Sequence, residues 1–271
     1  MSDALIEARD LSLTFPLPRG VKPLRPALSH VSVRVGRGEI VGIVGESGSG
    51  KTTLGRCLLN LVRPTSGQVF FEGREITALP EAEMRPLRRR MQMIFQDPMS
   101  CLNPRHTIRR ILAEPLILHG LAPDRRAAER EVEAVLGRVG LDAVVLGRYP
   151  HELSGGQRQR IGIARAAVLK PSFILADEIV SGLDVSTQAQ TLNLIKGLVD
   201  EMGLSMAFIS HDLSVIRAVC SRVVVMRGGE VTEEGPTREV FRSPKAAYTR
   251  TLLDAIPPVR PDPAWLSAAS V

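Results

Sequence analysis

Residues Glu39–Leu54 read EIVGIVGESGSGKTTL, and no other stretch limits the possible folds as strongly. The apolar run Ile40–Val44 has the length and character of a buried strand. A glycine-rich turn follows, Gly45-Glu46-Ser47-Gly48-Ser49-Gly50, and Lys51-Thr52-Thr53 then opens a helix. The spacing is that of a phosphate-binding loop, G-x-x-x-x-G-K-[ST]. Glycines let backbone N–H groups converge on phosphate oxygens at a helix N-terminus, where the helix dipole also favours an anion. In such a loop Lys51 reaches the β- and γ-phosphates, and the Thr52 hydroxyl ligates Mg²⁺.

The remaining composition narrows the setting. A chain of 271 residues has room for one large α/β domain, or for one plus a smaller subdomain. No run approaches the ~18 consecutive apolar residues of a membrane span. The start, Met1-Ser2-Asp3-Ala4-Leu5, lacks the basic and apolar regions of a signal peptide, so residence in the cytoplasm is expected. The three cysteines, Cys57, Cys101 and Cys220, are far apart and are expected as buried free thiols. A net charge of +6 is compatible with nucleic acid, with an anionic membrane surface, or with an arginine-rich composition alone. The charges are scattered apart from Arg85–Arg90, and aromatics make up only 4%, so no base-stacking platform is expected and nucleic acid is disfavoured.

Alternating apolar residues from Leu5 to Phe15 predict an edge strand, and a proline-rich loop covers Pro16–Pro26. Strands are expected at 27–35, 68–72 and 91–95, with a helix from Thr52 to about Leu61. From Pro98 to Lys170 the pattern turns helical, with segments at 108–119, at 124–140 and at 156–169. Strand–helix alternation resumes at Ser172–Asp177, then Val185–Met202, Ser205–Ser210 and Asp212–Val219, before a hairpin turning at Arg227-Gly228-Gly229. The expected organisation is a nucleotide-binding core of residues 1–97 and 171–254, interrupted by a helical subdomain at 98–170. A proline-rich extension covers 255–271.

Hydrolysis of a phosphoanhydride also needs a metal ligand and a group that orients water. Phe173-Ile174-Leu175-Ala176-Asp177-Glu178 is an apolar strand that delivers two acids to its C-terminal end, where open parallel sheets bind ligands. Asp177 is placed to hold Mg²⁺ through water, and Glu178 to polarise the nucleophilic water.

Leu153-Ser154-Gly155-Gly156-Gln157-Arg158-Gln159-Arg160 closely resembles the signature sequence of ABC ATPases, the nucleotide-binding subunits of ATP-binding-cassette transporters. The order of motifs is similar too: phosphate loop, Gln96, signature, Asp-Glu strand, Ser181-Gly182-Leu183-Asp184, then His211. The resemblance spans about Leu5 to Leu253. It implies an α/β fold with a P-loop NTPase (RecA-like) core, an antiparallel β subdomain and an inserted α-helical subdomain. It further implies that Phe15 stacks on adenine and that Gly45 to Thr53 cradle the phosphates of ATP. Gln96 contacts the metal or the attacking water. Ser154, Gly155 and Gly156, with Gln157 beside them, bind the γ-phosphate held by a partner subunit's loop. Asp184 communicates across the dimer, and His211 fixes Glu178 and the water. Two departures stand out: Ile179 where the family has Pro, expected to relax the turn, and Gly182 where it has Ala, expected to add backbone freedom.

Arg89-Arg90-Met91-Gln92-Met93-Ile94-Phe95-Gln96-Asp97-Pro98, Leu102-Asn103-Pro104-Arg105, Tyr149-Pro150-His151-Glu152 and Tyr248-Thr249-Arg250-Thr251-Leu252-Leu253 resemble the dipeptide, oligopeptide and nickel importer group. That resemblance implies Mg²⁺ and ATP, and a second cassette, identical or paralogous. It also implies two membrane permease subunits, an extracytoplasmic solute-binding protein and a place at the cytoplasmic face of the membrane. The surface around Gln96 to Arg105, together with the helical block, is expected to take up a short helix of the membrane subunit. A cassette of a soluble complex, such as the phosphonate-cleaving machinery, is the alternative; one acting on nucleic acid or ribosomes is a more remote one.

Overall fold

The computed structural model describes residues 4–15 and 25–255. Residues 16–24 of the expected loop at Pro16–Pro26, and the extension beyond Ala255, lie outside them. Two sheets share the work. The first is four-stranded, formed by β1 (Ala4–Leu13), β2 (Leu28–Gly36), β4 (Ser66–Phe71) and β5 (Arg74–Glu75) in the order β2-β1-β4-β5, all antiparallel. The expectation of an edge strand at the N-terminus is therefore corrected. β1 pairs on both sides, and its alternation arises because one face of this sheet packs on the core while the other meets water.

The second sheet is six-stranded and built on β3 (Ile40–Val44). Its other strands are β6 (Met91–Ile94), β7 (Phe173–Asp177), β8 (Ser205–Ile209), β9 (Arg222–Arg227) and β10 (Glu230–Pro236), in the order β10-β9-β3-β8-β7-β6. Every pairing is parallel except the β9–β10 hairpin. All residues of β3, β7 and β8 are buried. Continuous apolar runs rather than alternation follow, because helices or the antiparallel sheet cover both faces.

Those faces have different cores. On one side Val41, Ile43, Phe173, Leu175, Ala207 and Ile209 pack with the antiparallel sheet and with Leu54, Cys57 and Leu58 of α1 (Lys51–Leu58). On the other, Ile174, Ala176, Met206 and Phe208 pack with a continuous cluster running through α3 (Ile108–Leu118), α4 (Arg125–Arg138), α5 (Gly155–Ala167) and α6 (Val185–Met202). α3, α4 and α5 all fall between β6 and β7 in sequence, so the strand alternation is interrupted where the helical periodicity predicts. Asp124, Ser154 and Asp184 cap α4, α5 and α6 through their side chains, and Asp212 caps α7 (Leu213–Val219). The short helices α2 (Glu81–Arg88), α8 (Thr237–Arg242) and α9 (Ala247–Asp254) have no clear signal in the sequence. At about two turns each they draw their stability from tertiary contact rather than from helix propagation. Cys57 and Cys220 are buried and Cys101 only half-buried, a correction to the expectation of three buried thiols. Burial pushes the thiol of Cys57 up to about 11 and that of Cys220 up to about 12.

Candidate nucleotide-binding and hydrolysis site

The phosphate loop joins β3 to α1. Gly45 has φ +148, and a side chain there would stand 2.1 Å from the Met226 carbonyl of β9. Gly50 takes φ +100, and a Cβ would sit 2.6 Å from the Ala27 carbonyl. Both positions therefore require glycine, for conformation and for space together. α1 has no side-chain cap, unlike the Asp-capped helices, and no acid in its first turn. Its first amides and dipole remain available to an anion. Glu46, Ser47 and Gly48 are exposed and Ser49 is buried, its hydroxyl without a partner. Gly50, Thr52 and Thr53 are half-buried. Lys51 is buried, and its ammonium donates to the carbonyls of Gly45 (2.8 Å) and Glu46 (2.9 Å). Burial lowers the Lys51 pKa, against the opposing charges of Glu178, Asp177 and Glu46.

The adjoining strand ends bring in the acids. The Thr52 hydroxyl donates to Asp177 Oδ1 at 3.1 Å, linking the start of α1 to the end of β7. Burial raises the Asp177 pKa, as does neighbouring Glu178, although the Thr52 hydrogen bond pulls the other way. A hydroxyl and a carboxylate form an all-oxygen donor set suited to Mg²⁺, which keeps several waters and takes phosphate oxygens for the rest. A carboxylate destabilised by burial fits a site that receives positive charge.

Glu178 follows with φ +49, a left-handed conformation that is uncommon for a residue with a side chain. Its amide donates to the Ile209 carbonyl at 3.0 Å, fastening the end of β7 to the end of β8. Its Oε2 is 3.4 Å from His211 Nδ1. The two side chains line a small cavity of about 120 Å³ together with Ser181, Gly182, Gln188 and Ser210, room for a few waters. Gln188 Nε2 donates to Asp212 (3.4 Å), and the Asp212 amide donates to Ser210 Oγ (3.0 Å), which fixes the loop bearing His211. Asp212 is thus the cap of α7, as its position after a strand suggests. Gln188 escapes sequence reasoning, because it belongs to no short motif, whereas Ser210 closes the predicted strand Ser205–Ser210 just before His211.

Of the two departures, Ile179 is 1% exposed and packs in the helical-side core, beside the turn after Glu178. Gly182 sits at φ +74, a conformation that suits glycine.

Ser154 and Gln157 form a reciprocal capping box: the Gln157 amide donates to Ser154 Oγ (3.3 Å), and the Ser154 amide donates to Gln157 Oε1 (3.0 Å). Ser154 and Gly155 are exposed and Gly156 half-exposed. The side chains of α5 belong to one core and those of α1 to the other, so signature helix and phosphate-loop helix lie on opposite faces of the sheet. Among the described residues no hydrogen bond joins Ser154–Gln157 to Gly45–Thr53. Asp184 accepts from the Thr187 amide (2.9 Å) and hydroxyl (2.7 Å), bonds that lower its pKa. Its neighbour Thr187 borders Gly156, whose Cβ would lie 3.4 Å from Thr187 Cγ2. Gln96, just past β6, and Phe15, just past β1, are exposed; Phe15 is 49% accessible.

An uncapped helix start behind a glycine loop, beside two acids and a histidine at the C-terminal edge of a parallel sheet, defines a nucleotide-hydrolysing α/β domain. The ABC transporter family model matches residues 28–181, and the chain belongs to that family as an ATP-binding cassette. A putative peptide import ATP-binding protein of Brucella ovis is 52% identical over 87% of this chain and 74% of its own length. The oligopeptide transport ATP-binding protein AppF of Bacillus subtilis is 46% identical over 95% of this chain and 80% of its own length. Among solved structures, a dimeric, post-hydrolysis ATP-binding cassette, MJ0796 bound to ADP and Pi, superposes with TM-score 0.78. That cassette is 30% identical, over 86% of this chain and 99% of its own.

Proposed function

We propose that this chain is the ATP-hydrolysing subunit of an importer for di- or oligopeptides or a related small solute such as nickel, working as one of two cassettes. The observation that carries the reading is the separation of Ser154–Gln157 from the phosphate loop across the sheet, while Glu178, His211 and Asp177 gather at the loop itself. A chain so built holds one half of each of two ATP sites. A second copy or a paralogue, turned to face it, brings its signature helix to the γ-phosphate. The names of the peptide-transport relatives, and the dimeric state of the solved cassette, support the same reading.

Within one half-site the roles divide as follows. Phe15 offers an aromatic face to adenine, and the amides from Gly45 to Thr53 cradle the phosphates. Lys51 leaves the carbonyls of Gly45 and Glu46 for the β- and γ-phosphates. Thr52 and Asp177, with Gln96 at the next strand end, are the residues that would hold Mg²⁺, which supplies charge neutralisation on the phosphates when bound. Glu178 polarises the attacking water, and His211 holds Glu178 and the γ-phosphate in register. Ser154, Gly155, Gly156 and Gln157 act on the ATP of the partner, and Asp184 lies where the two cassettes meet. Closure on ATP and opening after hydrolysis differ in nucleotide contacts, and that difference is the work available to membrane partners.

Among the described residues no helix is long and apolar enough to cross a membrane. The chain is assigned to the cytoplasmic face of the membrane, attached through two permease subunits fed by a solute-binding protein. A cavity of about 430 Å³ lined by Arg88, Gln92, Cys101, Asn103, His106 and Arg165 supports docking of a permease helix there. Isolation of the intact complex tests the reading. Two permease chains should accompany this chain, with ATPase activity stimulated by peptide-loaded binding protein. Recovery with soluble enzymes, or with nucleic acid, would overturn it.

A further inference from the structure

Tyr248, on the C-terminal helix α9, reaches the phosphate loop. Its hydroxyl accepts a hydrogen bond from the amide of Glu46 at 3.1 Å, across 202 residues of sequence. The carbonyl of that same peptide group, Gly45 C=O, accepts from Lys51 Nζ at 2.8 Å. One peptide plane is thus gripped on both sides, by the lysine of the loop and by a tyrosine from the end of the domain. A glycine on one side of that plane gives it little rotational restraint of its own.

The tyrosine is itself held. The Arg227 guanidinium lies 4.8 Å from its ring centroid, a cation–π contact from the end of β9. Glu233 on β10 accepts from the amides of Lys245 (2.8 Å) and Ala246 (3.0 Å), pinning the start of α9. Two residues after Arg227, the Gly229 amide donates to the Ser49 carbonyl at 3.1 Å. The hairpin and α9 therefore contact the phosphate loop at two places, Glu46 and Ser49.

We infer that Tyr248 is a positioning residue for ATP binding, presetting the Gly45–Glu46 peptide so that the loop need not be ordered when phosphate arrives. The inference rests on the ATP-binding role proposed above. Preorganisation of this kind raises affinity by removing an ordering cost, and linkage makes it reciprocal: nucleotide bound in the loop must tighten the docking of α9.

The test uses the full-length chain and Tyr248→Phe, which keeps the ring and the Arg227 contact and removes only the hydroxyl. ADP with Mg²⁺ is titrated by calorimetry, and hydrogen exchange of Ala247–Asp254 is followed with and without it. The expected result is a Kd raised about three- to tenfold, the range of one lost neutral hydrogen bond, with Tm little changed. Slowing of exchange in α9 by nucleotide should be present in the wild type and much reduced in the variant. Arg227→Met, which loosens the ring but keeps the hydroxyl, should raise Kd by less. An unchanged Kd for Tyr248→Phe, or α9 exchange indifferent to nucleotide in the wild type, would overturn the inference. Wild-type protein that binds no nucleotide at all would instead remove the function proposed above, and this inference with it.

Discussion

Glu178 Oε2 and His211 Nδ1 stand 3.4 Å apart, each just past the C-terminal end of one of two neighbouring parallel strands, with the Glu178 amide tied to β8 and the Ser210 amide, beside His211, tied to β3. Register between β7 and β8 sets that distance. A one-residue slip would send one of the pair to the wrong face.

Glu178→Gln should retain ATP binding and lower turnover by at least about a hundredfold, the scale of losing a positioned proton acceptor. With ATP uncleaved, a cassette pair should accumulate on size-exclusion chromatography. Normal turnover in this variant would remove Glu178 from the mechanism.

Asp177→Asn separates function from stability. Burial raises the Asp177 pKa above its ordinary value of 3.8, so the ionised carboxylate costs stability once pH rises through the folded-state pKa. The amide should raise the stability of the nucleotide-free chain by about 1 kcal/mol at neutral pH, read as a higher Tm. Mg²⁺-dependent hydrolysis should be lost at the same time. At a pH below the ordinary value the stability difference should vanish.

Ser154 has a structural task, capping α5, besides the one proposed for it across the dimer. Ser154→Ala should cost about 1 kcal/mol through the lost cap. Ser154→Asp keeps a good cap but sets a negative charge toward phosphate. Tm should stay near the wild-type value and ATP binding by the single chain should persist, while ATP-driven pairing in the Glu178→Gln background disappears. Pairing that survives the Asp substitution would exclude Ser154 from the partner's site.

Glu39, at the foot of β3, binds Arg222 of β9 through two contacts, at 2.8 and 3.2 Å, and accepts the Gly36 amide at 2.7 Å. Burial raises its pKa, but these bonds outweigh that and leave it below 4.5. The stabilisation is therefore complete above the ordinary value and fades as pH falls through the lower, folded-state one. Glu39→Gln should cost about 2 kcal/mol at pH 7, within the range for a charge-assisted hydrogen bond in a partly buried pair. Urea midpoints of wild type and variant should converge on acidification. A gap that persists below pH 4 would assign the effect to packing instead.

The sequence by itself determined the local chemistry. Gly45–Thr53 could be recognised because phosphate binding demands fixed residue types at fixed short spacing. Val185–Met202 could be bounded because Asp184 and Gly203 punctuate it at both ends. Asp177 and Glu178 were legible because an apolar strand ends there in two acids, and Ser154–Gln157 because their stretch resembles a family signature. Other features depend on partners distant in the chain, and these only the tertiary structure decided. β1 turned out to be interior because β4, more than fifty residues on, closes its second side. Ile179 became part of the core because helices packed over it, and Tyr248 met Glu46 because the β9–β10 hairpin carries α9 back to the loop. Short-range patterning records propensity, caps and turns. Which side of a sheet each helix covers is fixed by long-range burial, and here that choice put α1 and α5 on opposite faces.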